Sequence, residues 1–457
     1  MDEIRVLSPT AILGYGFPLD SFQAGVARKP HVIAVDAGST DPGPYYLGAG
    51  VSFTDRRAVL RDLKIMLTAG RKLDIPVLIG SAGGSGAAPH LNWCLEIIRE
   101  IAISEGLSFK LAIIHGEISQ EKVLQAFDQG LLSPLTPGVT LGRQDISEST
   151  HIAGQMGIEP FIRALEAGAD VVLAGRAYDP AVFAALPVLR GFERGLALHM
   201  GKILECAAIA ALPGSGSDCM MGYIRKDHFL LEPLNKTRKC TVTSVAAHTL
   251  YEKSNPYLLP GPGGTINLTA ARFEQYNETM VKVSGSRFEP NPDYTVKLEG
   301  AKPVGFRTVS IAGVRDPVFI EKVDEIITGV KNRVEDNFAD VPQDKYSLIF
   351  HIYGKDAVMG QFEPLKAARA HELGIIIEAV AESQELANTI CSFARSTMLH
   401  YGYPGRISTA GNLALLYSPS DLKAGAVYQF SVHHLVKVDD PCALFPYEMV
   451  EIKGGQG

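Results

Sequence analysis

IPVLIGSAGGSGAAPHLNWCLEII, residues 75–98, runs a short apolar stretch into a glycine-rich turn and then into a helix-like segment. A strand feeding a helix through such a turn is the building unit of an α/β fold, and a continuously apolar strand is one covered on both faces. Gly80, Gly83, Gly84 and Gly86 leave the backbone bare, and the first amides of the following helix point into the same space. With hydroxyls from Ser81 and Ser85, the turn reads as a cradle for the anionic group of a small-molecule substrate. It lacks the lysine of a GxxxxGK[ST] phosphate loop and the spacing of GxGxxG, so a nucleotide is not implied. A tight turn that needs glycine for backbone shape alone is the competing explanation.

Outward from this stretch the same alternation continues. Residues 32–36 (VIAVD), 76–79, 109–114 and 170–174 read as strands; residues 57–73, 90–105, 120–127 and 158–167 read as helices. The pattern predicts a Rossmann-like, mostly parallel sheet with ligands gathering beyond the carboxyl ends of its strands. Near residue 200 the character changes. Residues 198–213 read as a helix, 241–246 and 294–298 as short extended pieces, 259–264 (LPGPGG) as a loop, and 316–337 as one helix. Strands at 347–354, 373–383 and 426–436 with a helix at 384–400 suit a small antiparallel α+β module of ferredoxin-like kind. The expected organisation is an α/β domain over residues 1–340 and a ferredoxin-like α+β domain over 341–457.

Composition narrows the classes. The 457 residues are 46% hydrophobic and 20% charged, which suits a folded chain too long for one ordinary domain. The net charge of -7 arises from interspersed acids and bases, so nucleic acid is not an expected partner. No window supplies the roughly 20 apolar residues of a spanning helix, and Asp2 and Glu3 stand where a signal segment would be basic. A cytoplasmic protein with no membrane partner is expected. Cys94, Cys206, Cys219, Cys240, Cys391 and Cys442 form no CxxC pair, which argues against a disulfide framework and a zinc site. No metal and no cofactor are expected. Open edges in an antiparallel tail favour a homo-oligomer.

Candidate chemistry gathers where strands end. Asp36, Ser39, Thr40 and Asp41 follow residues 32–36, carboxylates for proton transfer beside hydroxyls for substrate; turn capping is the plainer explanation. His115 and Glu117 follow residues 109–114. Arg176 and Asp179 follow residues 170–174, where a guanidinium fork matches a carboxylate or phosphate, or simply pairs with Asp179. His199, Lys202 and Cys206 share one helical stripe: the histidine could act as acid or base and the lysine could hold a carboxylate, or both could be structural. Cys206 lacks the adjacent base of a nucleophile. His248 stands at helical spacing from Glu252 as a further proton-transfer candidate, but HEXXH is absent, and His433 and His434 on one strand face opposite ways.

Residues 32–41 with their loop, GSAGGSG (80–86), GRAYDPA (175–181) and HMGKILECAA (199–208) together resemble the acyclic terpene utilisation (AtuA) family over most of the chain. The resemblance implies an amino-terminal α/β domain followed in many members by a ferredoxin-like module. It also implies a setting in the degradation of acyclic terpenes through coenzyme A thioesters, and it carries no catalytic residues over. From the residues, the expected function is a catabolic hydratase, dehydratase or isomerase acting on a carboxylate or acyl-CoA by acid–base chemistry. Arg176 and the glycine turn would hold the anionic end. A hydrolase using the same groups is the nearest alternative, without support from a GxSxG elbow. A non-catalytic metabolite-binding subunit docked to a small partner is the other.

Overall fold

In the computed structural model, which describes residues 2–252, 254–365 and 370–455, the apolar runs become the centre of a ten-stranded sheet. Ile4–Ser8, Val32–Asp36, Val77–Gly80, Val171–Ala174 and Phe109–Ile114 lie side by side and parallel, in that order. Successive strand residues point to opposite faces, and both faces are filled. Ile33, Val35, Val77, Ile79 and Leu173 pack with Leu63 and Met66 of helix Arg56–Leu73 and Leu91 and Cys94 of helix Ala88–Glu105. Val32, Ala34, Leu78 and Val172 pack with Phe161, Phe183 and Met200 from helices Glu159–Glu166, Ala181–Leu189 and Arg194–Leu204.

The sheet is mixed, not mostly parallel. Beyond Ile4–Ser8 it adds Met220–Ile224, His228–Pro233, Val281–Ser284 and Arg272–Gln275, all antiparallel. Only residues 225–227 separate the first two of these strands, too few for the crossover a parallel pair needs. At the other edge Tyr447–Ile452 pairs antiparallel with Phe109–Ile114.

Contacts divide the chain into two compact units: residues up to Lys302 with Phe430 onward, and Pro303–Gln429. The divisions at 302/303 and 429/430 differ from the expected 340/341. They fall inside two long strands, Tyr294–Val314 and Asp421–Val438. Helix Val323–Asn337 and strand Tyr346–Tyr353 fall in the same unit, whereas Tyr447–Ile452 belongs to the first. The unit Pro303–Gln429 is α+β. Strand Leu373–Ala381 pairs antiparallel with Tyr346–Tyr353 and with Tyr294–Val314, and Ile375, Ile377, Val330, Ile390 and Ala394 share its core with helices Val323–Asn337 and Gln384–His400.

Several local expectations change. Residues 241–246 open a helix, Val242–Thr249, because Thr241 and Ser244 exchange capping bonds with each other's amides. Residues 259–264 form a hairpin between Leu258–Gly261 and Gly264–Asn267, closed by residues 262–263. The expected helix at 316–337 breaks at Lys322 into Pro317–Glu321 and Val323–Asn337. No described helix is long and apolar enough to cross a membrane.

Candidate functional site

Arg176 follows strand Val171–Ala174 and is almost wholly buried, 2% exposed. A buried guanidinium must find partners, and this one has several. Its Nε donates to Glu299 Oε2 (2.8 Å), and its Nη1 to Asp179 Oδ1 (2.7 Å), to Ser81 Oγ (3.1 Å) and to the Ala177 carbonyl (2.6 Å). Nη2 makes no hydrogen bond among the described residues. Glu299 arrives from Tyr294–Val314, which pairs with His151–Gln155. It also accepts from Thr40 Oγ1 (2.8 Å) and Lys297 Nζ (2.7 Å). Burial would raise the Glu299 carboxyl, yet Arg176 and Lys297 hold it down to about 2.

Asp36, at the carboxyl end of Val32–Asp36, has the opposite environment. Burial first, and then the neighbouring Asp179 carboxylate, push its pKa well above the usual carboxylate value, against a smaller pull from Arg176. One oxygen accepts from the Gly38 amide (3.2 Å); the other, Oδ1, is buried with no hydrogen-bond partner among the described residues. A Cβ on Gly80 would stand 3.5 Å from Asp36 Oδ1, in ordinary van der Waals contact. Two carboxyls thus flank one arginine, one with its pKa pushed up by burial and one ion-paired.

The cluster opens on a cavity of about 540 Å³, within the usual range for small-molecule sites. Arg176, Tyr178, Asp179, Gln155, Lys297 and Asp41 contribute to its wall, with the hairpin residues Pro260 to Pro262 on another side. The Tyr178 hydroxyl is buried without a partner among the described residues, and burial, then Glu205 and Asp179, push its pKa up. Asp41 is exposed, and its Oδ2 accepts from Ser39 Oγ at 2.7 Å.

The glycine turn lies beneath this cluster, covered by protein on all sides. Every residue from Gly80 to Ala87 is buried. A Cβ on Gly86 would stand 2.0 Å from the Arg176 amide nitrogen, one on Gly84 2.3 Å from the Phe53 ring, and one on Gly83 2.8 Å from His90. Close packing accounts for these glycines. The anion at the start of helix Ala88–Glu105 is internal: Glu117 Oε2 accepts from the Ala88 amide (2.6 Å), and Oε1 meets His151 Nδ1 (2.7 Å). Ser81 reaches the site through Arg176, while Ser85 Oγ is buried without a partner among the described residues.

His199 does not reach the cavity wall. It is fully buried, its Nδ1 against Ser286 Oγ (2.6 Å) and its Nε2 against Thr249 Oγ1 (3.0 Å), between the rings of Phe229 and Phe273. Burial, with Lys202 adding to it, lowers its pKa to about 3. Lys202 is buried and paired with Glu205; burial works against its charge, but Glu205 holds its pKa up. His248 stacks on Tyr251 at 5.4 Å, and burial, then Lys202, bring its pKa to about 4. No group of three or more His, Cys, Asp or Glu side chains among the described residues is placed to hold a metal ion.

Sequence reading passed over Glu299, Lys297, Gln155 and the role of Tyr178. Glu299 carried one signal, an acid set among Val296, Leu298 and Ala301 on a strand whose other neighbours are buried.

A polar cavity beyond the carboxyl ends of α/β strands, walled by an arginine and paired carboxylates, is the candidate site of this fold. The profile of the family described as acyclic terpene utilisation family protein AtuA matches residues 56–212 and 229–416. The chain belongs to this family, whose description places it in a catabolic context. No curated protein and no solved structure matches the chain at a significant level.

Proposed function

We propose that the chain is a catabolic enzyme that moves a proton beside a carboxylate or acyl group, as a hydratase, dehydratase or isomerase. The observation that carries this reading is the pair Asp36 and Asp179 about Arg176, whose environments push the pKa of one carboxyl up and leave the other ion-paired at the cavity wall. Such a split leaves one charged carboxylate, Asp179, beside the arginine at the cavity wall. Asp179 faces the cavity and takes the substrate proton. Arg176 Nη2 and Lys297 hold the anionic end of the substrate. Asp36 acts as a positioning residue: its retained proton keeps a further negative charge away from Arg176. His199, sealed by two hydroxyls, has a structural role.

The test is solvent exchange. The full chain is incubated in deuterium oxide with a panel of branched and linear acyl-CoA thioesters and free acids, and deuterium uptake is read by mass spectrometry. Uptake into at least one compound is expected, reduced about a hundredfold by Asp179→Asn and within about threefold of the parent in folded His199→Gln. No uptake across the panel, or full uptake by Asp179→Asn, contradicts the reading.

A further inference from the structure

A cavity of about 270 Å³ lies at the opposite, amino ends of the same strands. Its floor is apolar, made by Ile4, Leu165, Leu186 and Leu189. Its donors are incompletely used. Arg71 spends Nη1 on Asp170 (2.8 Å) and Nη2 on the Ile75 carbonyl (2.9 Å), but Nε is buried with no hydrogen-bond partner among the described residues. Arg190, exposed on the cavity wall, makes no ion pair among the described residues. The acids present compete weakly. Asp170 is committed to Arg71 and to the Lys110 amide (2.8 Å), and Asp74 is exposed, where water and salt screen it. His31 accepts from the Arg5 amide through Nδ1 (3.0 Å), and burial, then Arg5, lower its pKa, so it adds no charge at neutral pH.

We propose that this cavity is an effector site for a small molecule carrying a carboxylate on a short apolar chain. The carboxylate meets Arg190, and the chain lies on the leucines. Each wall leads directly to the candidate site at the other pole. His31 precedes the strand that ends at Asp36, and Pro76 precedes the strand that ends at Gly80, next to Ser81. Asp170 precedes the strand that leads to Arg176, and Arg190 caps the helix that starts after Asp179 and Pro180. A nine-residue helix spans only about 13 Å, so ordering one end bears on the other. The effector role rests on the proton-transfer reading; the binding itself does not.

Isothermal titration of the full chain with octanoate, octylamine and inorganic phosphate separates the outcomes. Octanoate is expected to bind one to one, with octylamine and phosphate at least tenfold weaker. Arg190→Glu, a change at an exposed position, weakens octanoate at least tenfold, and Leu165→Trp, which fills the floor, does the same. Octylamine binding as tightly as octanoate, or octanoate binding that survives both variants, overturns the proposal. So does octanoate binding lost on Thr295→Trp, which lies in the other cavity, and kept in Arg190→Glu. For any compound that exchanges deuterium, saturating octanoate shifts kcat/KM in the parent but not in Arg190→Glu. An unchanged kcat/KM in the parent removes the effector role.

Discussion

At the scale of single residues, Arg176 and its partners set the terms. Removing the Glu299 charge leaves a buried guanidinium short of one counter-ion, so Glu299→Gln should cost about 3–5 kcal/mol in urea unfolding at pH 7. The sign with pH follows from the depressed pKa. Glu299 stabilises the fold fully above its unfolded value of 4.5, and that contribution disappears as pH falls toward about 2. Glu299→Gln should therefore flatten the stability profile across that window. Asp36 has the reverse sign: its pKa is raised in the folded chain, so stability is lost as pH climbs above 3.8. Asp36→Asn should melt at a higher temperature than the parent at pH 7 and lose the decline seen above pH 4; an unchanged or lower melting temperature contradicts the assigned environment. Arg176, Asp179 and Asp36 were legible as strand-end residues from GRAYDPA and VIAVD. Glu299 was not, since it lies 123 positions from Arg176 and only strand pairing brings the two together.

At the scale of elements, the glycine turn separates backbone shape from close approach. Gly86 and Gly106 share a left-handed φ, +67° and +64°, but a Cβ on Gly86 meets the Arg176 backbone while one on Gly106 meets nothing within 4 Å. Gly106→Ala should cost about 1 kcal/mol, the price of the left-handed conformation alone. Gly86→Ala adds steric overlap for a total of about 3 kcal/mol or more, read by denaturant midpoint. Equal losses in the two variants refute the packing explanation. The strand–turn–helix unit was plain in residues 75–98, because apolar continuity and glycine are local signals. The occupant of the helix start was not, because Glu117 comes from a different strand end. The helix at Val242–Thr249 was hidden by β-branched Thr241, Val242 and Thr243, whose extended preference yields to the Thr241–Ser244 capping exchange.

At the scale of the whole molecule, the central parallel strands were readable from their double-sided apolar character, and the antiparallel flanks were not. Met220–Ile224 and His228–Pro233 are short, and nothing local says which edge they join. The last strand shows the same limit. Tyr447–Ile452 covers the edge of Phe109–Ile114 over six paired residues, although the chain between them includes all of the separate unit Pro303–Gln429. Ending the chain before Tyr447 should expose that edge, lower the melting temperature and produce self-association in light scattering; an equally stable, monodisperse product contradicts the pairing. The central claim is that Asp36 keeps its proton at neutral pH beside an ion-paired Asp179. Infrared difference spectroscopy of the full chain at pH 7 tests it most directly. The carbonyl stretch of a protonated carboxylic acid should be present in the parent and in Asp179→Asn and absent from Asp36→Asn; a parent and an Asp36→Asn variant with identical spectra in that region contradict it.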